Sequence, residues 1–205
     1  MTFRELTVPG AWEITPKQHG DPRGVFLEVF QGGPLSEAIG HRFDLAQANC
    51  SVSAAGVLRG IHFSDVPPGQ AKYVTCAKGA VLDVVVDVRV GSPTFGQWDT
   101  VLLDDLDRRA IYLGEGLGHA FMSLEDDSTV LYLCSAGYAP GREHGIHPLD
   151  ADVAIQWPTT ARDGSPMAPQ LSAKDLAAPT LAQAITQDLL PHFDEVAAYV
   201  ESLRA

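Results

Sequence analysis

Cysteine is scarce in this sequence: Cys50, Cys76 and Cys134 are the three in 205 residues. An odd number, widely spaced, excludes a disulfide framework and points to buried free thiols in a reducing compartment. Basic residues are outnumbered, with 14 Lys and Arg against 26 Asp and Glu and a formal net charge of -12. That balance argues against nucleic acid as a partner, although a local cluster of cations can still hold an anionic ligand. No apolar stretch approaches the length needed to cross a bilayer. The opening residues MTFRELTVPG lack the basic start and apolar run of a signal peptide. A cytoplasmic location away from membranes is therefore expected. Internal repeats and low-complexity tracts are lacking too. What remains, 45% hydrophobic and 20% charged, suits one core and one domain over residues 1–205.

Short apolar segments separated by Gly, Pro and Asp turns run through the first three quarters of the chain. Residues 3–15 read as a strand pair or an extended arm, broken at Pro9-Gly10, and Gly24–Phe30 as a strand after the turn Asp21–Gly24. Asp44–Ser53 alternates, with Gln47, Asn49, Ser51 and Ser53 opposite Ala46, Ala48, Cys50 and Val52. Such a polar face is either solvated or lines a pocket. Lys78-Gly79 marks a hairpin before the strongest strand, Ala80–Arg89, with Leu82, Val84, Val86 and Val88 on its apolar face. Further strands follow to about residue 157, at the spacing of a sandwich or barrel. From 158 to 205 a loop gives way to helical periodicity over Thr180–Leu190 and Phe193–Leu203.

The stretch Val57–Tyr73, VLRGIHFSDVPPGQAKY, carries the densest chemistry. On a strand Leu58, Gly60 and His62 share one face and Arg59 and Ile61 the other, unless a bulge at Gly60 re-aims them. After Pro67-Pro68-Gly69 a second strand brings Lys72, so His62, Arg59 and Lys72 are expected on paired strands of one sheet. His119 follows a Gly-rich turn in GEGLGHAF. A hydrogen-bonded structural histidine is the plainer alternative for both imidazoles. His62 beside two cations calls for a carboxylate partner, and Asp175 in LSAKD is a candidate. Tyr132 in TVLYLCS could equally be a core aromatic. Asp83 and Asp87 stand too far apart on a strand to form a dyad, and ion pairing or solvation is the better reading, with Arg89 on the same face. The acidic run Glu125–Asp127 reads as a solvated hairpin tip. Metal-binding barrels of the cupin type commonly use two histidines separated by one residue. Here Phe63 and Ser64 follow His62, and His62 with His119 falls short of the usual ligand number. No metal is expected.

With RGIHF, PPGQAKY, VVVDVRVGSPTFGQW, GLGHAF and EHGIHPLDADVAIQWP in this order, the chain resembles the dTDP-4-dehydrorhamnose 3,5-epimerase family. The likeness spans roughly Arg23 to Leu181. It implies an all-β cupin jelly-roll barrel with a short helical C-terminal appendage, no cofactor, and a dTDP-4-keto-6-deoxyhexose as substrate. It implies His62 as base paired with Asp175, Tyr132 as acid on the opposite face of the sugar, and Lys72 at the enolate oxygen. Arg59 and His119 match positions near the sugar and diphosphate. Arg23, Phe26, Glu28, Gln47 and Tyr138 match nucleotide-site positions, with Asn49 and Glu143 beside them. A homodimer with an exchanged N-terminal strand is implied as well. PPGQAKY is most similar to the branch serving antibiotic deoxysugars, which includes enzymes inverting one carbon. Leu133 stands where the family commonly has lysine, and Phe63-Ser64 where a pair usually carries glutamine. Both departures are expected near the pocket and bear on whether carbon 3, carbon 5 or both invert, with carbon 3 favoured. The chemistry fits independently, since removing a proton beside a ketone needs a base near neutrality and a cation at the developing oxyanion. The alternatives are a ketoisomerase or sugar-nucleotide-binding cupin using the same His, and a metal-dependent oxygenase.

Overall fold

Alternating apolar residues become strands along most of the chain in the computed structural model, which describes residues 1–204. The N-terminal part holds β1 (Thr2–Glu5), β2 (Ala11–Thr15), β3 (Gln18–Asp21), β4 (Gly24–Leu27) and the helix α1 (Gly32–Ile39). Then come β5 (Gln47–Ser53), β6 (Leu58–Ser64), β7 (Lys72–Lys78), β8 (Ala80–Val86) and β9 (Trp98–Asp104). The barrel continues with β10 (Ala110–Leu113), β11 (Gly118–Ser123), β12 (Ser128–Cys134) and β13 (Glu143–Gly145). Three short helices end the chain, α2 (Ala173–Leu176), α3 (Leu181–Thr186) and α4 (Phe193–Ser202). No helix among the described residues is long and apolar enough to cross a membrane.

Two sheets face each other. One has the order β1-β2-β10-β7-β12-β5 and the other β13-β6-β11-β8-β9, while β3 and β4 form a separate hairpin. Between the sheets, Val74, Cys76, Val81, Val85, Leu103, Phe121 and Val130 form one end of the interior. Outside the second sheet, Val84, Val86 and Phe63 are covered by Ile146, Val153, Leu181 and Leu190 from the C-terminal segments. Outside the first, Ile14, Tyr73 and Tyr112 lie beneath Leu35 and Ile39 of α1. Strand β8 is therefore buried on both faces, which explains its near-continuous apolar run. The face expected to be polar holds Val81 and Val85, with Asp83 fully buried among them.

Three expectations need correcting. Strands β6 and β7 are not paired but lie in opposite sheets, so Lys72 confronts His62 across the interior. Lys78-Gly79 is likewise no hairpin, because β7 and β8 also belong to different sheets. Gly79 makes that crossing at φ +82, where an added Cβ would lie 2.6 Å from Ser128 Oγ. Cys50 is exposed, while Cys76 and Cys134 are buried. The alternation of β5 turns Gln47, Asn49 and Ser51 inward and leaves Ala48, Cys50 and Val52 outside. The inner face has polar work to do, so the apolar positions face out.

The bulge at Gly60 is present. His62 pairs with His119 across β6 and β11, yet Arg59 pairs with Phe121, which leaves one extra residue in β6. Arg59 and His62 consequently line the same cavity. Gly60 has φ +116, and a Cβ there would lie 2.5 Å from His119 O and 2.6 Å from Ala120 Cβ. Gly60→Ala is expected to cost at least about 2 kcal/mol, combining backbone strain with overlap. A urea unfolding midpoint matching the wild type would contradict this.

Candidate active site

The open half of the barrel interior is a cavity of ≈ 270 Å³. Strand β6 supplies Arg59 and His62, β11 supplies His119, and the facing sheet supplies Asn49, Lys72 and Tyr132. His62 Nε2 lies 2.6 Å from Asp175 Oδ1, with the carboxyl 6% exposed and the imidazole 38% exposed. Ser172 caps the first turn of α2, accepting from the Asp175 backbone N–H while its hydroxyl donates to Asp175 Oδ2 at 2.8 Å. The helix thus exists to present one carboxylate to one imidazole. Burial pushes the Asp175 carboxyl up, but the hydrogen bonds from His62 and Ser172 outweigh it and hold it below the usual range. A carboxylate on Nε2 fixes the proton there and leaves Nδ1 as the free lone pair.

On the facing sheet, Tyr132 Oη donates to Ser51 Oγ. Burial raises the phenol, against the Ser51 bond and the Arg59 charge. Lys72 is half-buried and Nζ reaches only the Gln70 carbonyl, at 3.4 Å. Burial lowers its pKa, opposed by Cys134, Glu143 and Glu115. His119 Nε2 sits 3.0 and 2.9 Å from the two oxygens of Asp83. Burial pushes that carboxyl up, and the imidazole partly offsets it. Asp83 is a residue the sequence reading missed in this role. A lone Asp inside AVLDVVV was the available signal, since a buried carboxylate needs a partner. Ser172, Gln70 and Cys134 were also not singled out for the site, and nothing in their spacing marked them, whereas Ser51 was marked only by the alternation of β5.

Glu143 of β13 lines the cavity, whereas Gln47 and Tyr138 do not and are tied to it only through Asn49. Gln47 Oε1 accepts from Tyr138 N at 2.9 Å and Nε2 donates to Asn49 at 2.8 Å. Arg23, Phe26 and Glu28 are not brought to the cavity within one chain. They belong to the exposed β3–β4 hairpin and its exit, with Phe26 69% exposed and Arg23 paired to Asp21.

The model of the dTDP-4-dehydrorhamnose 3,5-epimerase family matches residues 5–183. A dTDP-4-dehydrorhamnose 3,5-epimerase of Mycolicibacterium smegmatis is 59% identical, covering 100% of this chain and 98% of its own. The chain belongs to this family. A Mycobacterium tuberculosis epimerase structure superposes with TM-score 0.95 at 54% identity, covering 100% of both chains. A 3'-monoepimerase of Streptomyces bikiniensis, solved with dTDP-quinovose, gives TM-score 0.91 at 50% identity over 97% of this chain and 98% of its own. Of the positions where this epimerase-family chain departs from the common pattern, Phe63 and Ser64 line the cavity. Leu133 does not. It packs outward with the cluster beneath α1, because its neighbour Tyr132 takes the inward position.

Asp175 has a folded-state pKa below its usual 3.8, so its pairing adds stability above that pH and loses it as pH falls through the folded value. Asp175→Asn is expected to lower stability by roughly 1–3 kcal/mol at pH 7 through the lost charge-assisted bonds. The gap to wild type should close as the pH drops below 3.8. Unfolding midpoints across that range check it, and a gap that widened in acid would refute the pairing.

Proposed function

We propose that the protein epimerises a dTDP-4-keto-6-deoxyhexose through an enolate. His62 Nδ1 removes the proton beside the ketone, and Asp175 stabilises the resulting imidazolium. The electron pair moves onto the carbonyl oxygen, where Lys72 supplies positive charge. Tyr132 then delivers a proton to the opposite face of the same carbon. The observation that carries this reading is a carboxylate-held imidazole and a partly buried phenol on facing sheets of one cavity. Arg59 and His119 lie beside the imidazole, where they suit the diphosphate side of the substrate. Carbon 3 is the main site in this reading, because relatives named 3,5-epimerase and 3-epimerase share that position.

The same reading makes the working unit a homodimer. The β3–β4 hairpin stands outside the barrel with Val25 and Phe26 exposed, and β5 is an unpaired sheet edge. Exchange of the N-terminal segment would carry Arg23, Phe26 and Glu28 of one copy to the cavity of the other, beside Gln47, Asn49 and Tyr138. Buried reduced thiols at Cys76 and Cys134 suit a cytoplasmic setting.

In deuterium oxide, the product made from dTDP-4-keto-6-deoxyglucose is expected to carry deuterium at carbon 3 with the ketone unmoved. Ketone migration in the NMR spectrum would favour the isomerase alternative, and label mainly at carbon 5 would overturn the choice of carbon. His62→Ala should slow exchange on the order of a hundredfold to ten-thousandfold. Tyr132→Phe should keep exchanging deuterium through His62 while net inversion falls much further. Parallel loss of both would remove Tyr132 from the donor role.

A further inference from the structure

Ser51 sits on the inner face of β5 between Asn49 and Ser53. Both neighbours are engaged elsewhere. Gln47 donates to Asn49 at 2.8 Å, and Arg59 Nε donates to Ser53 Oγ at 3.2 Å. Ser51 meets the Tyr132 phenol and does not line the reaction cavity. The contact is diagonal. In the β12–β5 register Tyr132 stands opposite Asn49 while Ser51 stands opposite Val130, so the ring leans along the strand to reach the serine. The ring also packs on Phe121, with centroids 6.4 Å apart.

Satisfying the phenol does not by itself call for this serine. Tyr132 lines an open cavity, where water can bond its hydroxyl. What Ser51 adds is a bond that can run either way, because a hydroxyl is both donor and acceptor. At rest the phenol donates to Ser51 Oγ, so its proton is directed at β5 and not at the cavity. To protonate a carbon the phenol O–H must turn toward the substrate. Its oxygen is then free to accept from the Ser51 hydroxyl.

We propose that Ser51 is a positioning residue that sets the acidity of the Tyr132 donor by reversing this hydrogen bond during the reaction. The role rests on Tyr132 acting as donor in the epimerisation proposed above. As the Tyr132 O–H bond breaks, its proton joins the electron pair of the enolate to form the new C–H bond. The O–H pair stays on the phenolate oxygen, and Ser51 keeps its own proton while donating a hydrogen bond to that oxygen. After the product leaves, water returns a proton to the phenolate and takes one from the His62 imidazolium. A bond to an ion is roughly twice as strong as one between neutral groups, so the reversed bond favours the phenolate. Burial raises the phenol, while the Ser51 bond and the Arg59 charge draw it back against Asp83 and Cys50.

One measurement is independent of turnover. With 3,5-difluorotyrosine at position 132 of the full chain, fluorine NMR follows ionisation of that phenol alone. Arg59, Asp83 and Cys50 act on the ring, and His62, Lys72, His119 and Glu143 line its cavity. All are common to the compared proteins, so a difference reads the serine. Ser51→Ala is expected to raise the midpoint by about half a pH unit or more, and Ser51→Thr to leave it within about 0.3. The second measurement, in deuterium oxide on the chain with natural Tyr132, compares label uptake with inversion. Ser51→Ala is expected to slow inversion about tenfold or more with exchange through His62 within about twofold of wild type, and Ser51→Thr to restore inversion. An unmoved midpoint, wild-type inversion in Ser51→Ala, or a parallel fall of exchange and inversion would overturn the role of Ser51. So would a folded Ser51→Thr protein as impaired as Ser51→Ala. Failure of the underlying donor reading shows elsewhere, as absent inversion in the wild type or parallel loss in Tyr132→Phe.

Discussion

The site depends on one backbone constraint, the close passage of β6 against β11 at Gly60. A regular strand would send Arg59 and His62 to opposite faces, one into the barrel and one under the C-terminal segments. The extra residue turns both inward. Only a residue without a Cβ fits, since His119 O and Ala120 occupy the space a side chain would need. Function and fold meet at that position, because the same irregularity that interrupts the ladder also assembles the imidazole and the guanidinium. Bulges beside active sites commonly re-aim side chains in this way.

A barrel interior that is half apolar and half polar must satisfy its polar half internally. Asp83 answers His119, Ser51 answers Tyr132, and Ser172 with His62 answers Asp175. These pairings leave Nδ1 of His62 and the acceptor side of the Tyr132 phenol unclaimed, and Lys72, outside all three, is held by a single long bond. Burial then acts in opposite senses on the two kinds of group. It favours neutral phenol at Tyr132, which keeps a proton to give, and it weakens the hold of Lys72 on its own. In the proposed reaction, a donor and a tunable cation facing a carboxylate-backed base meet the requirement for moving a proton from one face of a carbon to the other.

Much of this was legible in the sequence, for definite reasons. Period-two alternation marked β5 as a strand with one polar face, and Asn49 of that face lines the cavity while Ser51 holds Tyr132. The Gly in RGIHF signalled a bulge because glycine inside a strand has few other uses. The need of His62 for a carboxylate, together with the family likeness, pointed to Asp175 across 113 residues of chain. What the sequence withheld was sheet membership. A turn such as Lys78-Gly79 looks the same whether the chain folds back beside itself or crosses to the opposite sheet, and local pattern carries no record of the choice. The pairing of Asp83 with His119 was hidden for the same reason, since it joins strands 36 residues apart. Leu133 was misplaced because a departure from a family pattern says nothing about which way the side chain points.

The acidic balance of the chain and its proposed anionic ligand are compatible once distance is considered. A net charge of -12 is spread over a surface of 9746 Å², and salt screens exposed charges beyond about 8 Å. Arg59, Lys72 and His119 converge on one cavity, where lower dielectric strengthens their effect. Two of the nearest carboxylates are held in hydrogen bonds rather than facing the cavity free, Asp83 by His119 and Asp175 by His62. The ligand therefore meets the local cluster at contact range and the global field only weakly. The acidic exterior keeps the protein soluble and discourages polyanions such as nucleic acid, which would have to lie across the surface itself. A single nucleotide sugar small enough to enter the barrel escapes that penalty, so size as well as charge selects what reaches His62.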